Sequence, residues 1–472
     1  MSIFSLPYIS YRPLTVKTVF TNGEKNKKSP VIVSNSLESY LSMLKMRIEE
    51  HPKEWDIYKR YTNPFECIHT TITSGIKQPI CRYRPISRSY FKMVEMLHSF
   101  NLLADMSDKI KTFHLAEGPG GFIEALCTQR DNLNDEYVGM TLISDDTTVP
   151  GWRKSKSFLN SHPNVKLEYG SDGTGDIFKR DNLMYCATKY GASMDLITAD
   201  GGFDFSMDFN GQEAMITGLL VAQIAFATAL QKHGGTFILK MFDIFSRASV
   251  EIVYLLSVMY EHVFITKPNT SRYANSERYI VCQGFRSHDG RKEWTIQFLD
   301  AYTRLDAHDS CGTDELNVYS LLNVRIPLMF INKIEEHNAI LGQQQVENIT
   351  STLNIIKNPK QEKIESLKRT NTQKCVYWCQ KHQLPYNRDV RQLNMFLSAK
   401  SKNSRVRRVS DETEESCTNG KSDDDISNSD SENQGTTLDY TKNCCVDCVN
   451  YESSSVNSEE SNCEEEISCD KS

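Results

Sequence analysis

Four charged residues stand where an α/β chain would present them to a ligand. Lys240 lies inside the apolar run FILKMF, where a lysine is costly to bury unless its charge is paired or its pKa is lowered. Asp200 follows MDLITA and precedes Gly201-Gly202, at the expected carboxyl end of a strand. Glu277 sits just before RYIVC, and Lys92 lies in the helical stretch SYFKMVEMLHSF. Singly, each has a structural reading. Lys92 can pair with Glu95 on a helix surface, Asp200 can cap a turn, Glu277 can be a solvated edge residue, and Lys240 can snorkel past the end of the sheet. Together, beside a glycine-rich loop, they read as a catalytic cluster. That loop is HLAEGPGGFIEAL, residues 114–126, with Gly118-Pro119-Gly120-Gly121 between an apolar strand and an apolar helix. Glycines there let the backbone approach a ligand closely, and the next helix offers free N–H groups. The loop is not a G-x-G-x-x-G fingerprint and lacks the lysine of a P-loop, so it suits a nucleoside-like ligand without a pyrophosphate.

The elements that must position these groups follow from periodicity. Residues 36–61 read as helical, with Leu37, Tyr40, Leu41, Leu44 and Ile48 at spacings of three and four. Residues 1–30 read as irregular and 63–85 as a connector. From about 87 to 286 helix and strand alternate. TFHLAEG, EYVGMTLIS, MDLITAD, GTFILKMF, HVFITKP and RYIVCQGF are strand candidates, and GQEAMITGLLVAQIAFATALQKHGG is one long helix ending in glycines. The alternation predicts an α/β fold, a doubly wound and mostly parallel sheet with helices on both faces. Ligands of such sheets bind beyond the carboxyl ends of the strands. Residues 291–400 read as a mainly helical extension.

The chain has 472 residues, 39% of them hydrophobic and 10% aromatic, enough for a large core. No run of 18 apolar residues and no signal-like N-terminus is evident, so a membrane span or secretion is not expected, and the fourteen cysteines read as reduced thiols of an intracellular protein. Residues 401–472 carry 7 Lys and Arg against 18 Asp and Glu, a net of −11. That leaves 47 against 43, a net of +4, for residues 1–400. The acidic tail has too few apolar residues to offset the entropy of ordering and reads as disordered. The division expected is therefore 1–62, an N-terminal extension; 63–290, the α/β domain; 291–400, the helical region; and 401–472, the tail. Cys375, Cys379 and His382, like Cys444, Cys445 and Cys448, lack the paired spacing of a zinc site, and no metal is expected.

AEGPGGF (116–122), DGTGDIF (172–178), ADGGF (199–203), GGTFILKMFDIF (234–245) and KPNTSRYANSERYIVC (267–282) resemble the FtsJ-like, S-adenosylmethionine-dependent RNA ribose 2′-O-methyltransferases of Rossmann-like fold. KPNTSRYANSERY is the most specific element and is similar to the cap-1 branch, which acts on the first transcribed nucleotide of capped mRNA. The resemblance covers roughly residues 63–286. It implies a Lys-Asp-Lys-Glu tetrad at Lys92, Asp200, Lys240 and Glu277. It implies a donor site at Ser87, Ala116, Glu117, Gly118, Pro119, Gly120, Gly121, Phe122, Asp176 and Ile177. It places Asn275 against capped RNA and offers Lys45, Glu49 and Lys59 as cap contacts. His114 departs from the acid that bacterial relatives carry in the first strand. Asp145 is the candidate ribose-binding acid after the second strand, and 203–213 is not aligned with the family.

The implied chemistry is an in-line displacement, with a base taking the 2′-hydroxyl proton as attack proceeds. Lys240 is the base on this reading, its pKa lowered by burial and by Lys92. Asp200 and Glu277 hold the ammonium groups, with Asp200 closest to the methyl. RNA phosphates would be met by some of Lys45, Lys59, Arg60, Arg82, Arg84, Arg88, Arg272 and Arg278, and a methylated guanine by an aromatic ring beside an acid. The cofactor implied is S-adenosylmethionine and the partner capped mRNA, with other capping or transcription machinery expected at 291–400 or the tail. The alternatives are the same transfer to uncapped ribosomal or transfer RNA, and a non-catalytic RNA-binding scaffold on this fold.

Overall fold

The computed structural model describes residues 1–10, 14–20, 29–71, 78–104, 106–146, 149–202, 210–286, 290–309 and 318–387. The expectations for 203–209 and for the tail, including Cys444, Cys445 and Cys448, lie outside the described residues. Among those residues the strands are β1 (Ser2–Ser5), β2 (Val16–Phe20), β3 (Lys111–Leu115), β4 (Glu136–Met140), β5 (Val165–Glu168), β6 (Met194–Ala199), β7 (Gln231–Met241), β8 (Tyr260–Lys267), β9 (Arg278–Phe285) and β10 (Val318–Leu322). The helices are α1 (Asn35–Glu49), α2 (Pro52–Thr62), α3 (Ser89–Ser99), α4 (Gly121–Arg130), α5 (Lys156–Ser161), α6 (Arg180–Tyr190), α7 (Gln212–Met215), α8 (Thr217–Leu230), α9 (Arg247–Met259), α10 (Gly290–Asp309), α11 (Leu328–Lys357) and α12 (Gln361–Lys381).

Eight strands form one sheet in the order β1-β8-β9-β7-β6-β3-β4-β5. The run β5-β4-β3-β6-β7 is parallel, and β9, β8 and β1 join it antiparallel. The sheet is mostly parallel with helices on both sides, as the alternation predicts. Strand parity assigns the faces. Phe237, Leu239 and Met241 pack into the apolar layer beneath α6, α8, α9 and α10, whereas Ile238 packs into the layer of α3, α4 and α12. Lys240 has the parity of Ile238, so it belongs to the α3 side, where Lys92 and Tyr279 also lie.

Several local expectations need correction. Helix α8 stops at Leu230, and the QKHGG that reads as its end opens β7 instead. Gly234 has φ 74°, the Gln231 side-chain amide donates to the Thr236 carbonyl at 2.8 Å, and the β6–β7 register shifts there. These glycines form a bulge, not a helix cap. Helix α8 is apolar all round because it is buried all round. With α7 it is long and apolar enough to cross a membrane, yet it lies within the core. Residues 36–61 form two helices, because Pro52 cannot continue the first and opens the second. Residues 1–30, read as irregular, contain β1 and β2, which pair with β8 and β10 more than 250 residues away. The short β5 was also not foreseen.

The region after residue 290 packs into the same body. Helix α11 lies on α1 and α2, where Leu44, Ile48, Trp55, Ile349 and Leu353 make a separate apolar cluster. Thr62 and Thr352 hydroxyls hydrogen-bond at 2.6 Å across that seam. Cys375, Trp378 and Cys379 are buried against α3, with Cys375 Sγ on the Pro64 carbonyl. Replacing fully buried Ile349 by Ala should lower stability by about 2–5 kcal/mol in denaturant melts. Hydrogen exchange should quicken in α1 and α2 while the sheet stays protected.

Candidate active site

The donor-type loop begins where β3 ends. Ala116 takes φ 51° and Gly120 φ 110°, so the chain reverses into α4 through left-handed backbone that favours glycine at 120. A Cβ on Gly121 would collide with the Ser87 and Ser89 hydroxyls, which hydrogen-bond each other. That close approach draws Ser87 against the loop. Glu117 turns inward, and its Oε1 accepts from Phe122 N at 2.8 Å and Ile123 N at 3.1 Å, satisfying two orphan donors of α4. Burial pushes this carboxyl up to about 8. Glu117 therefore shapes the loop.

Beside it, the turns after β4 and β5 are laced together. Ile143 N donates to the Thr174 carbonyl at 2.7 Å, and Gly175 N to the Tyr169 carbonyl at 2.8 Å. Asp176 Oδ1 accepts from Phe178 N at 2.8 Å, and Ile177 is buried. Leu142 and Ile143 remain nearly half exposed. An apolar ledge, an acid and a glycine-rich turn at the carboxyl ends of β3, β4 and β5 fit a nucleoside-bearing donor. Asp145 stands exposed in the loop after β4. His114 is a core residue, held between the Thr112 and Thr198 hydroxyls at 2.8 and 2.7 Å and pushed to about 3 by burial.

The four charged groups do come together. Lys92 Nζ lies 2.7 Å from Glu277 Oε1 and 2.8 Å from Oε2. Lys240 Nζ donates to the Asp200 carbonyl at 2.6 Å and lies 3.3 Å from its carboxylate. Tyr279 joins the two pairs: its hydroxyl donates to Asp200 Oδ1 at 2.7 Å and accepts from Lys92 Nζ at 3.3 Å. The surface readings of Lys92 and Glu277 are thereby excluded, since both are buried. Glu95, the expected partner of Lys92, instead accepts from the backbone of Asn269 and Thr270. Burial drives the Lys92 ammonium down, with Glu277 opposing. Burial alone would raise Glu277, but Lys92 and Lys240 outweigh it and hold the carboxyl well below its usual range.

The 268–277 loop carries this cluster. Lys267 Nζ, buried, donates to the Asn275 carbonyl, Asn275 Oδ1 and the Glu277 carbonyl at 2.8, 2.9 and 2.7 Å, and burial pushes it down to about 7. Ser271 donates to Glu277 Oε1 at 2.7 Å. Ser276, the residue before Glu277, borders a cavity of about 160 Å³. Lys45, Ile48, Trp55, Lys59, Arg272, Asn275, Gln212, Gln345 and Asn348 also line it.

Of the expected cap contacts, Lys45, Lys59 and Asn275 reach this cavity, but Lys45 is committed to Asp243 at 3.0 Å. Glu49 is exposed on α1 and does not line it, and among the described residues no carboxylate does. Arg278, expected on RNA, is buried against Asp243 and Asn338. Tyr279, Lys267 and the α11 residues Gln345 and Asn348 were not foreseen. For Tyr279 a signal exists, since it stands two positions after Glu277 on an extended chain.

Residues 85–285 match the FtsJ-like methyltransferase family. The cap-specific mRNA (nucleoside-2′-O-)-methyltransferase 1 of Leishmania braziliensis is 33% identical over 299 residues, which is 60% of this chain and 70% of that protein. The cap-specific mRNA (nucleoside-2′-O-)-methyltransferase 2 of Danio rerio is 29% identical over 327 residues, 64% of this chain and 40% of that one. An inactive cap-specific mRNA (nucleoside-2′-O-)-methyltransferase 1B of Caenorhabditis briggsae is 29% identical over 252 residues, 51% of this chain and 29% of that one. The chain thus spans well under half the length of the last two. It belongs to the FtsJ-like methyltransferase family.

The Glu66–Arg272 pair that braces the loop gives a test at acid pH. Arg272 Nη2 and Nε donate to the Glu66 carboxylate at 2.8 and 3.1 Å. Burial would raise Glu66, but Arg272 outweighs it and holds the carboxyl at about 2. A folded pKa below the unfolded one means the stabilisation is complete above about pH 4.3 and is lost as pH falls toward 2. Urea melts across that window should show a loss on the order of 2 kcal/mol, after screening at the one-third-exposed Arg272, that Glu66→Gln lacks.

Proposed function

We propose that this chain transfers a methyl group from S-adenosylmethionine to the ribose 2′-OH of the first transcribed nucleotide of capped mRNA. The observation that carries the reading is the joined cluster Lys240–Asp200–Tyr279–Lys92–Glu277, set between the nucleoside cradle and the cavity lined by Trp55, Lys59 and Asn275. Kinship at this level of identity includes an inactive relative, so the names alone do not separate an enzyme from a decayed one. The presence of all four charged groups, as two ion pairs bridged by Tyr279, favours the enzyme.

S-adenosylmethionine, where bound, supplies an electrophilic methyl on a sulfonium that departs as a neutral thioether. The chain's part is to orient the ribose and manage one proton. Lys240, the more exposed of the two lysines at 12% against 7%, takes the 2′-hydroxyl proton as the oxygen attacks. The Asp200 carbonyl and carboxylate aim its amine. Tyr279 fixes the Asp200 carboxylate from the far side. Lys92, neutralised by Glu277, holds positive charge against Tyr279 and Asp200 without competing for the proton. Lys59 and Arg272 give the cavity a cationic lining, suited to the phosphates of a capped end and less to a positively charged methylguanine.

Labelled methyl transfer to matched RNAs tests the reading. A capped RNA should accept label, while an uncapped one and one already methylated at the first 2′-OH should not. Equal labelling of all three would move the activity to internal RNA sites, and label at the second nucleotide would shift the position assigned. Lys240→Ala should lose at least about a hundredfold in rate, and Tyr279→Phe about tenfold, with donor affinity by calorimetry retained in both. Loss of donor binding with Lys240→Ala would make that lysine structural.

A further inference from the structure

Arg88 is the residue before α3, one helical turn ahead of Lys92, so a rise of about 6 Å separates their backbones along the same face. Arg88 is half-buried, and its guanidinium makes a single hydrogen bond among the described residues, Nη2 to the Thr270 carbonyl at 3.5 Å. No carboxylate lies within ion-pair distance of it among those residues. Arg272, two residues beyond Thr270 on the same loop, is a second cation there, its Nε and Nη2 both occupied by Glu66. Burial lowers the Arg88 pKa, and the Arg272 charge lowers it further. His69 adds a third group: Thr70 Oγ1 meets its Nδ1 at 2.8 Å, while its buried Nε2 has no partner among the described residues. Arg88 also bears on the His69 ring, which burial and that charge push down to about 4, so the imidazole is neutral at physiological pH.

A half-buried planar fork of five donors, bonded once and at long range to the loop that carries Arg272, keeps most of its donors free for an anion. A phosphate accepts such a fork bidentately. Arg272 lines the cavity and Arg88 stands one turn ahead of Lys92, so the Thr270–Arg272 stretch that Arg88 meets links the cavity to the charged cluster. We propose that Arg88, with Arg272 and His69, forms a phosphate site that seats the RNA group adjoining the ribose to be methylated. The inference rests on the reading of the substrate as RNA. Of the eight cations that the sequence offers for RNA phosphates, it selects these two arginines and sets Arg278 aside as buried structure.

Equilibrium binding of a short capped RNA to the full chain, across a series of salt concentrations, tests this. Arg88→Gln should weaken binding about ten- to hundredfold and lower the slope of log affinity against log salt by about 0.7, the loss of one phosphate contact to a single strand. Arg88→Lys should recover the slope and only part of the affinity, because charge returns without the fork. A capped dinucleotide with and without a 3′-phosphate identifies the source. If the Arg88→Gln deficit appears only with the 3′-phosphate, the group is the 3′ phosphodiester; if it is equal in both, it is the 5′ triphosphate chain. An unchanged salt slope in Arg88→Gln, or a fall in donor affinity that Arg88→Lys does not repair, overturns the proposal. The slope is compared within one cap state, so cap-independent methyl transfer would sink the substrate reading while leaving the Arg88 result intact.

Discussion

Burying four charges in one place is possible only if they neutralise one another, and the Lys92–Glu277 pair at 2.7 Å bears most of that constraint. An isolated buried ammonium or carboxylate would be expelled or would change its protonation. Paired, they tie α3 to the loop that enters β9. The consequences spread outward. Ser87 and Ser89, at the head of α3, press on Gly121 and so settle the donor-type turn. Glu95, one turn after Lys92, captures the backbone of Asn269 and Thr270 and anchors the far end of the same loop.

That loop is pinned from within by Lys267, whose three protons go to three acceptors on Asn275 and Glu277. Asn275 and Ser276 face the cavity and Glu277 faces the cluster, so one ammonium sets the spacing between the place where an RNA end would rest and the place where a proton would move. The geometry is rigid on account of charge satisfaction more than of apolar packing.

The parallel part of the sheet was legible because its strands are short apolar runs between glycines and helices, and parity within FILKMF already places Lys240 opposite the side of Phe237 and Leu239. The charged tetrad was legible from residue type at strand ends, reinforced by the family likeness. What escaped was long-range pairing. Nothing local in MSIFS announces β1, because its partner is β8. QKHGG reads as a helix end because glycine closes helices and opens bulges alike; only the Met194 and Thr236 pairings decide between them. Glu49 matched a cap-contact position by motif, yet helical rotation turns Lys45 and Ile48 inward and leaves Glu49 outside. The role of α11 has no local signature, since a helix shows its apolar stripe without showing what that stripe covers.

The seam between α2 and α11 has a temporal consequence. Trp55 and Lys59 are made early, while Gln345 and Asn348, which close the same cavity, follow almost 300 residues later. Synthesis runs from the N-terminus, so on the ribosome the α1, α2 and 272–276 sides of the cavity are made before the wall that α11 supplies. The wall that Gln345 and Asn348 supply is thus the last part of the cavity to be made.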